Sequence, residues 1–538
     1  MLLIKVIVKN SLFSLLVIIA LCSFIFFAGI DSYGLLDKDE PRYAGCALEM
    51  LERDNYTVPK FNFQDRFDKP ILFYWLIVAS YRVLGVSDFS SRFPSAICAT
   101  LCVLFTWYIA RVVFGRVCGL ICALILASSI EFILLGRRAA TDMTLCLFFS
   151  SSLYSLFLSY YLKSVKIKIF WTILAGIFMG LSALTKGPIG ILLPIIILTV
   201  FLFFRRSFDL KHLKIYFLIV FIAILIAFPW YYSVHLSTDG LFTKQFFFEH
   251  NLKRFTSVVS EHPGPVWFYI PVIIGGFMPW TFFFIGAIVS FIKKLLKKNF
   301  NRLLLFSIAW IITTFLFFTF STTKFATYIL LVFPPLSLIT GYWIYILGKR
   351  KLVFIKSIAF SFILVLISSL GYAFYLISKW KIDQLEKGQL LNKLLIISLI
   401  MLLALILTLF FSKKSYSFVI CFVLGITVPL ILGINSYLIP YYKYTHLDLR
   451  GFSEFAKKEN ASEIISFGMY RPSLVYYSRL PVDFSDKKIQ IKKIKSYSLK
   501  DKKVFIIGHS SDIKKHEKLF NKIEVLELKK KYFVGKLI

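Results

Sequence analysis

The chain has 538 residues, of which 58% are hydrophobic and 18% aromatic, a composition that excludes an ordinary soluble domain and is typical of a polytopic membrane protein. Its formal net charge of +34 comes from 63 Lys and Arg residues against 29 Asp and Glu residues. The basic residues form short clusters between apolar runs, as in membrane proteins whose orientation they set, so the charge does not indicate a nucleic-acid partner. The surplus also suits contact with anionic membrane lipids.

The first apolar segment runs from Ser11 to Ile30 and is preceded by Lys5 and Lys9. It resembles the hydrophobic region of a signal peptide. It is longer than a typical one, however, and no small-residue cleavage site is evident after it. We therefore predict that it is an uncleaved first membrane span.

An acidic run, DKDEPRY at residues 37–43, follows this segment directly. Carboxylates at a membrane edge are partly desolvated and need a partner, and Arg42 lies three residues after Asp39. The run also fits the start of a helix, with an acidic N-cap and a Pro near the first turn. Both interpretations hold together if either Asp39 or Glu40 caps the helix while the other faces a substrate.

A second charged cluster, RFDKP at residues 66–70, lies in the same loop. In a structural interpretation, Asp68 caps the next helix and Lys69 reaches lipid headgroups. In a functional one, Lys69 binds a lipid phosphate, while Asp68 orients it or binds a cation. We favour the second, which makes the loop a polar reaction site at the bilayer surface for a lipid-borne, charged substrate.

Fourteen apolar runs are candidates for membrane spans, and three of them are shorter than the ~20 residues that a span needs. The runs lie near 11–30, 71–86, 94–114, 117–136, 143–162, 169–185, 188–204, 212–232, 266–290, 303–321, 325–347, 352–377, 392–411 and 416–439. If 71–86 does not cross, every predicted cytoplasmic loop is basic. The positive-inside rule then selects about thirteen spans, with the N-terminus in the cytoplasm and the C-terminus outside. The run 71–86 becomes an amphipathic helix in the outer interface, a depth that its Trp and Tyr residues prefer.

This topology gathers ionisable residues from many separate loops at the outer face of the membrane. They are Asp39, Glu40, Arg42, Asp68, Lys69, Arg92, Arg137, Arg138, Asp142, Lys186, His250, His262 and Lys324.

Two of the outer motifs carry cations where the orientation rule disfavours them. Arg137 and Arg138, in the motif RRAATD, either pair with Asp142 as a structural clamp or bind phosphate. Lys186 lies at a Gly-Pro break, TKGP at residues 185–188, where the backbone leaves the helix at membrane depth. A lysine at such a break indicates an anionic ligand.

Further along the chain, Lys324 and Tyr328 lie one helical turn apart and either hold a phosphate jointly or anchor a span in the interface. His250 and His262 lie in the long outer loop 233–265. Each is either a hydrogen-bonding loop residue or a contact to a metal ion or a substrate.

The sequence has no Walker loop, no dinucleotide-binding glycine pattern, no HExxH and no GxSxG motif, so we expect no nucleotide cofactor. Nearly all of the eight cysteines lie in apolar runs. We expect them to be packing residues rather than metal ligands or disulfide partners.

The chain changes character near Pro440, where charged residues begin to alternate with short β-rich runs at 464–468, 474–477 and 504–508. The segment Gly451 to Glu459 reads as a short amphipathic helix. We therefore predict two domains: a transmembrane domain over 1–439, with its first outer loop at 31–93, and a small soluble α/β domain over 440–538, outside the membrane.

Four motifs in this order, DEPRY, FDKP, TKG and an EH pair with a downstream Arg-Phe, resemble the lipid-linked-sugar glycosyltransferases of the GT-C class. Among these, the chain is most similar to the aminoarabinose transferases of lipid A, which are related to the protein O-mannosyltransferases. The resemblance covers most of the chain and implies a polytopic all-α fold with interfacial helices in the first outer loop. The family usually has Glu at the position of Asp68.

The resemblance implies a role for each motif. Asp39 is the expected catalytic carboxylate, and Glu40 is expected to be catalytic together with it. Asp68 and His250, with His262 as a substitute, are candidate ligands of a divalent metal ion. The donor phosphate is expected to bind to Arg42, Tyr43, Lys69, Arg138, Lys186, Lys324 and Tyr328.

The expected activity is inverting transfer of a sugar, such as 4-amino-4-deoxy-L-arabinose, from undecaprenyl phosphate to lipid A at the periplasmic face of the bacterial inner membrane. One alternative is transfer to protein Ser/Thr or to another envelope glycan. Another is a transporter or flippase of a polyprenyl lipid. A transporter is expected to carry charge near the bilayer midplane and to show paired halves, whereas this sequence has charge at one face and no evident repeat.

Overall fold

The structure, a computed structural model, describes residues 10–205, 211–252, 264–296, 301–347, 415–496 and 503–537, with isolated residues between 357 and 406. The chain forms two compact units. The membrane unit comprises Met1–Gly29, Asp68–Leu72 and Pro94–Ser436. The sheet unit comprises Ile30–Phe67, Phe73–Phe93 and Tyr437–Ile538. Most of the first outer loop therefore belongs to the same unit as the C-terminal residues.

Most of the described residues are helical. The α-helices in chain order are α1 (Ser11–Phe27), α2 (Asp39–Arg53), α3 (Leu72–Leu84), α4 (Asp88–Phe114), α5 (Arg116–Ala127), α6 (Ile130–Gly136), α7 (Thr141–Tyr161), α8 (Val165–Lys186), α9 (Ile189–Phe204), α10 (Lys211–Ser237), α11 (Leu241–Thr243), α12 (Tyr269–Gly276), α13 (Thr281–Leu296), α14 (Arg302–Phe320), α15 (Phe333–Leu347), α16 (Ser415–Thr445), α17 (Leu447–Lys458), α18 (Ser473–Ser478), α19 (Lys487–Ser496), α20 (Ser510–Lys515) and α21 (Glu517–Phe520). A π-helix covers Lys244–Leu252 and a 3₁₀-helix covers Ala326–Val332.

Within the described residues, seven helices are long and apolar enough to cross a membrane, or nine if each of two bent helix pairs counts as one span. The protein is therefore a polytopic membrane protein. The predicted runs 352–377 and 392–411 lie largely outside the described residues, so the number of thirteen spans stays a prediction.

Two runs predicted as continuous spans are bent pairs. The run 117–136 forms α5 and α6, which meet at 67°, and the run 266–290 forms α12 and α13, which meet at 113°. In both places a polar or Pro-containing link interrupts the helix, and Trp280 Nε1 donates a 2.9 Å hydrogen bond to Ser128 Oγ between the two links. The hydropathy of these runs predicts burial in a membrane but not a bend.

The run 71–86 forms α3, which has only 13 residues and is too short to cross a bilayer. Its residues from Phe73 onward belong to the sheet unit. Both observations agree with the prediction that this run does not cross the membrane.

The C-terminal residues form a five-stranded mixed sheet, which confirms the prediction of a small α/β fold. Its strand order is β4-β3-β5-β7-β6. The strands are β3 (Glu463–Phe467), β4 (Val482–Asp483), β5 (Val504–His509), β6 (Ile523–Leu528) and β7 (Tyr532–Leu537), and β1 (Lys60–Phe61) and β2 (Gln64–Asp65) form a hairpin in the first loop. Strand β3 pairs in parallel with β4 and β5, whereas β7 pairs antiparallel with β5 and β6.

The apolar run at 474–477 was predicted to be a strand, and this prediction is wrong, because the run lies in α18. A four-residue apolar run carries no clear period, and Pro472 immediately before the helix favours a helix start. The amphipathic helix predicted at 451–459 is observed as α17, which begins four residues earlier at Leu447.

Helices α8 and α10 approach each other closely at two glycines of α8 that are four residues apart. A Cβ atom added to Gly176 would lie 2.7 Å from Ile222 Cβ, and one added to Gly180 would lie 2.7 Å from Ile226 Cβ and 2.8 Å from the Ala223 carbonyl oxygen. Small residues at this spacing allow two membrane helices to pack backbone to backbone. This contact fixes the course of α8, which ends at Lys186.

We expect Gly180→Leu to lower the melting temperature of the purified chain in detergent, because overpacking of a tight contact costs about 1–3 kcal/mol. Gly275→Leu in α12 is the matched control, since a Cβ at Gly275 has no atom within 4 Å. Equal melting temperatures for the two variants would show that the α8–α10 contact tolerates a side chain.

Candidate active site

Asp39 lies in the first turn of α2 and forms an ion pair with Arg42, one turn later on the same helix. The Asp39 side chain is 46% exposed and that of Arg42 is 27% exposed. Arg42 Nε also donates a 3.1 Å hydrogen bond to the carbonyl oxygen of Lys38, the residue before the helix. The pair is thus an accessible carboxylate and guanidinium group at a helix N-terminus, where the helix dipole favours negative charge.

Glu40, the next residue, points the other way into the protein. Its two carboxylate oxygens accept hydrogen bonds from Arg92, at 2.9 Å from Nε and 2.8 Å from Nη2, and the two side chains are 1% and 0% exposed. Glu40 Oε2 also accepts a 2.8 Å hydrogen bond from the backbone N–H of Leu36. Arg92 completes its hydrogen bonds with three backbone carbonyls of the first loop, those of Ile30, Tyr33 and Gly34.

This geometry corrects the prediction that Glu40 is catalytic together with Asp39. Both oxygens of Glu40 are engaged in a buried pair, so Glu40 stabilises the loop and does not face a substrate. The expected acidic N-cap is also different, because the residue at the N-cap of α2 is Lys38 and its side chain makes no capping hydrogen bond.

Arg66 adds a second guanidinium group near Arg42, close enough for the two charges to repel. The guanidinium carbon of Arg66 lies 5.2 Å from the ring centroid of Tyr43 and 5.9 Å from that of Phe61. Tyr43 itself is buried and packs edge-on against Phe73, with the ring centroids 5.6 Å apart. Tyr43 therefore orients Arg66, and the two arginines give this part of the sheet unit a positive charge that suits an anion.

In the membrane unit, Lys186 and Asp142 form the centre of a second charged group. Lys186 Nζ donates a 2.8 Å hydrogen bond to Asp142 Oδ1 and lies 4.5 Å from the ring centroid of Tyr328. The charges of Arg138 and Lys69 also act on the Asp142 carboxylate. We refer to Lys69, Arg138, Asp142, Lys186 and Tyr328 as the Lys186 cluster.

The chain reaches this cluster through the predicted helix break. Helix α8 ends at Lys186, and Gly187 follows with φ 91°, a conformation that residues with a side chain rarely adopt. A Cβ at Gly190 would come within 2.6 Å of the backbone of Ser182 and Ala183, so α9 returns closely beside α8. The break holds Lys186 at the end of a rigid helix beside the first turn of α7.

The two neighbouring arginines of the motif RRAATD have different surroundings, which sequence alone did not separate. Arg137 is buried, and its guanidinium group donates 2.8 Å hydrogen bonds to the carbonyls of Ile25 and Ala28 and a 3.0 Å bond to Asn435 Oδ1. Arg137 is therefore a structural clamp at the C-terminal end of α1. Arg138 is the arginine of the pair that interacts with Asp142.

Lys324 is only 7% exposed, and its ammonium group donates hydrogen bonds of 2.9 Å to the Thr319 carbonyl and 2.6 Å to the Ser321 carbonyl. It therefore satisfies carbonyl groups at the C-terminal end of α14. Burial lowers its pKa. The cation that lies on the ring of Tyr328 is Lys186, so the predicted joint action of Lys324 and Tyr328 is replaced by a pair of Lys186 and Tyr328.

The predicted metal ligands are only partly described. Lys69 Nζ donates a 3.0 Å hydrogen bond to the carbonyl oxygen of Asp68. His250 belongs to the π-helix, but its side chain and the whole of His262 lie outside the described residues. Among the residues that the structure does describe, no group of three His, Cys, Asp or Glu side chains has the arrangement of a metal site.

Three charged residues were not among the predicted site residues although they interact with residues that were: Arg66 and Arg92 in the sheet unit and Glu131 in the membrane unit. Arg66 was read as part of a cluster without a role of its own, and Arg92 only as one of the outer cations. Glu131 lies in α6, and its charge interacts with those of Arg138 and Asp142. An acid inside an otherwise apolar run is a signal that identifies Glu131 from sequence.

Comparison with protein families finds a match for part of the chain. The model of the dolichyl-phosphate-mannose-protein mannosyltransferase family matches residues 68–232, a stretch that includes Lys69, Arg138 and Lys186.

Two curated proteins represent the sequence relatives. The undecaprenyl phosphate-alpha-4-amino-4-deoxy-L-arabinose arabinosyl transferase of Pectobacterium carotovorum is 30% identical over 331 residues, which are 61% of this chain and 58% of that protein. An uncharacterised protein of Aquifex aeolicus is 33% identical over 340 residues, which are 62% of this chain and 74% of that protein. The chain thus spans less than two thirds of the length of the arabinosyl transferase that it matches.

Among solved structures, the crystal structure of ArnT from Cupriavidus metallidurans bound to undecaprenyl phosphate has the same fold. The TM-score is 0.86 at 20% sequence identity, with 98% of this chain and 99% of that chain covered. The similarity extends over the membrane helices and the C-terminal sheet and shows the shared fold.

We expect Glu40→Gln and Arg92→Met each to lower the melting temperature strongly, because removal of one partner from a buried ion pair costs about 3–5 kcal/mol. Asp39→Asn is the matched control on the neighbouring residue, and we expect a change near zero because exposed pairs contribute about 0–1 kcal/mol. Thermal unfolding of the purified chain in detergent measures both. A Glu40→Gln variant as stable as the wild type would contradict the structural role of Glu40.

Proposed function

The chain belongs to the GT-C family of membrane glycosyltransferases, and we propose that it transfers a sugar from a polyprenyl phosphate to an acceptor at the outer face of the bacterial inner membrane. The observation that carries the proposal is the accessible carboxylate of Asp39 beside Arg42, with Arg66 as a second cation nearby. Family membership also favours a transferase over the alternative of a polyprenyl-lipid transporter.

We propose that the donor is undecaprenyl phosphate carrying an amino sugar such as 4-amino-4-deoxy-L-arabinose. The name of the Pectobacterium relative and the lipid bound to the Cupriavidus protein support this choice. We propose lipid A as the acceptor, on the resemblance to the aminoarabinose transferases.

The reaction needs one carboxylate and several cations. A bond forms between the acceptor oxygen and the anomeric carbon of the sugar, while the bond from that carbon to the phosphate oxygen breaks and polyprenyl phosphate leaves. Phosphate is a good leaving group once cations neutralise its charge, so no second carboxylic acid is required, unlike in glycoside hydrolases. Attack on the face opposite the phosphate inverts the anomeric centre.

The role of Asp39 depends on the acceptor. A hydroxyl acceptor loses its proton on attack, and Asp39 takes this proton as general base. A phosphate acceptor is already ionised at neutral pH and has no such proton to lose. In that case Asp39 orients the acceptor or stabilises the positive charge that develops at the anomeric carbon.

In the membrane unit, we assign the donor phosphate to Lys186, whose ammonium group is engaged by the carboxylate side chain of Asp142. In the sheet unit, considered by itself, Arg42 pairs with Asp39, and Arg66 on the ring of Tyr43 adds positive charge. An acidic partner such as Asp142 holds the lysine in place and leaves it able to bind an incoming phosphate. Lys324 is omitted, because backbone carbonyls already engage its ammonium group.

A divalent metal ion held by Asp68 and His250 stays a prediction from the family resemblance. Among the described residues, no group of three acidic, histidine or cysteine side chains is arranged to hold such an ion. We therefore route no step of the reaction through a metal ion.

Transfer to protein Ser/Thr is the second candidate function, since the family model that matches residues 68–232 describes protein mannosyltransferases. Mass spectrometry of lipid A and of envelope proteins, from cells with and without this chain, separates the two acceptors. A sugar on lipid A alone supports the first proposal, and a sugar on protein alone supports the second.

We expect Asp39→Asn to lower the rate of sugar transfer by about 100-fold or more, because the neutral amide can neither accept a proton nor stabilise positive charge. The assay follows transfer from undecaprenyl phosphate-linked aminoarabinose to lipid A by mass spectrometry. The control is Asp54→Asn, an exposed acid at the C-terminal end of the same helix, for which we expect wild-type activity. Full activity of Asp39→Asn, at wild-type protein level, would refute the assigned role.

We expect Lys186→Met to raise the KM for the donor by about 10- to 150-fold, because the loss of one hydrogen bond to a charged group costs about 1.5–3 kcal/mol. The double variant Asp142→Asn/Lys186→Met removes both charges of the pair. If Lys186 binds the donor phosphate, the double variant keeps the raised KM. If Lys186 only neutralises Asp142, the double variant regains the KM of the wild type, and the assignment fails.

A further inference from the structure

Side chains form hydrogen bonds with seven backbone groups of the loop that leads into Asp39. Three consecutive N–H groups, those of residues 35, 36 and 37, each donate to a side chain, and four carbonyl groups before the helix accept from arginines. A loop of this length usually satisfies such groups with water. Here side chains bind both N–H and C=O groups of the backbone before Asp39.

Residues of the C-terminal domain supply two of these partners. The Leu35 N–H donates a 2.8 Å hydrogen bond to Tyr477 Oη, and the Asp37 N–H donates a 3.2 Å hydrogen bond to His446 Nε2. Gly34 permits the close approach, since a Cβ there would overlap the hydroxyl groups of Tyr442 and Tyr477. The loop therefore lies directly against the domain that follows α16.

The side chain of Asp37 makes the strongest of these contacts. Its carboxylate is 1% exposed and accepts a 2.9 Å hydrogen bond from Ser473 N and a 2.7 Å hydrogen bond from Ser473 Oγ. Ser473 is the first residue of α18, whose N-cap, Pro472, has no side-chain capping hydrogen bond. Asp37 thus provides the cap of α18 from a segment 436 residues away in sequence.

His446 is in the state that this contact requires. It is buried, and burial together with the nearby charges of Arg471 and Lys531 lowers its pKa to about 4. The ring is therefore neutral in the physiological range, so that Nε2 accepts the Asp37 N–H. Burial raises the pKa of Asp37, and the hydrogen bonds from Ser473 oppose this effect.

We propose that the C-terminal domain takes part in the reaction by positioning Asp39, and that Asp37 is the positioning residue through which Ser473 and His446 act. The inference rests on the proposed function of Asp39. It gives the C-terminal domain a role in the reaction, the positioning of the Asp39 carboxylate. Asp39 lies two residues after Asp37 and begins α2. A shift of Asp37 away from Ser473 and His446 therefore also moves the Asp39 carboxylate. Misplacement of a reacting group by about 1 Å lowers a rate by up to about 100-fold.

The test compares Ser473→Ala with Ser473→Thr in the full-length chain. Ser473→Ala removes the hydroxyl that binds Asp37, whereas Ser473→Thr keeps a hydroxyl at the same position. We expect Ser473→Ala to lower kcat about tenfold with the donor KM changed by less than about twofold, and Ser473→Thr to keep kcat within about twofold of the wild type. The donor in the assay is undecaprenyl phosphate-linked aminoarabinose and the acceptor is lipid A.

Glu52→Ala is the matched control. It breaks the 3.1 Å ion pair between Glu52, at the far end of α2, and Arg479 of the C-terminal domain. Both side chains are 41% exposed, so we expect wild-type kcat. An equal loss of kcat in Glu52→Ala and Ser473→Ala would indicate general loosening of the domain and overturn the role of Asp37.

Hydrogen exchange of the same variants, measured by mass spectrometry, tests the contacts of Asp37 with Ser473 and His446 without any substrate. We expect amides of residues 35–40 to exchange at least about tenfold faster in Ser473→Ala than in the wild type, with no change in Glu52→Ala. If the wild type transfers no sugar, the proposed function fails. The exchange rates still decide whether Ser473 holds Asp37 and the loop before Asp39. Wild-type exchange rates in Ser473→Ala, or wild-type kcat in an active enzyme, would overturn the inference.

Discussion

The buried ion pair between Glu40 and Arg92 is the interaction on which the arrangement of Asp39 depends. Two charges out of water carry a large desolvation penalty, which only good geometry and further hydrogen bonds offset. Here both guanidinium–carboxylate bonds form, and the remaining donors of Arg92 bind three carbonyls of the first loop. Because successive residues of a helix lie ~100° apart, an inward Glu40 leaves Asp39 at the surface beside Arg42.

The sequence identified Asp39 and Glu40 as candidate site residues but did not show that one is exposed and the other buried. From the sequence alone, the neighbouring carboxylates Asp39 and Glu40 cannot be assigned different roles. The same holds for the neighbouring arginines Arg137 and Arg138. Their roles diverge because Arg92 and the carbonyls at the end of α1, all distant in sequence, happen to lie on one side of each pair. The break at Gly187 is a local signal, and the structure confirms it.

The errors in secondary structure have the same origin. The run at 474–477 contains Val and two Tyr, which favour a strand locally. It is a helix in the protein, where Asp37 supplies the N-terminal cap that the local sequence lacks. Likewise, the bends between α5 and α6 and between α12 and α13 depend on contacts such as Trp280 with Ser128, which no hydropathy pattern contains.

The partners of each cation distinguish structural from functional lysines and arginines at a membrane edge. Arg137 and Lys324 bind backbone carbonyls at helix ends, and these acceptors cannot move away without unfolding the helix terminus. Lys186 instead pairs with the carboxylate of Asp142, a side chain that can rotate when a phosphate arrives. Arg42 combines both kinds of partner, the Asp39 carboxylate and the Lys38 carbonyl. An anionic substrate can therefore exchange for Asp142 at little structural cost, but not for the carbonyls held by Arg137. Among cations that sequence alone treats alike, this difference separates Lys186 from Arg137 and Lys324, and it is the reason why we assign the proposed phosphate contact to Lys186.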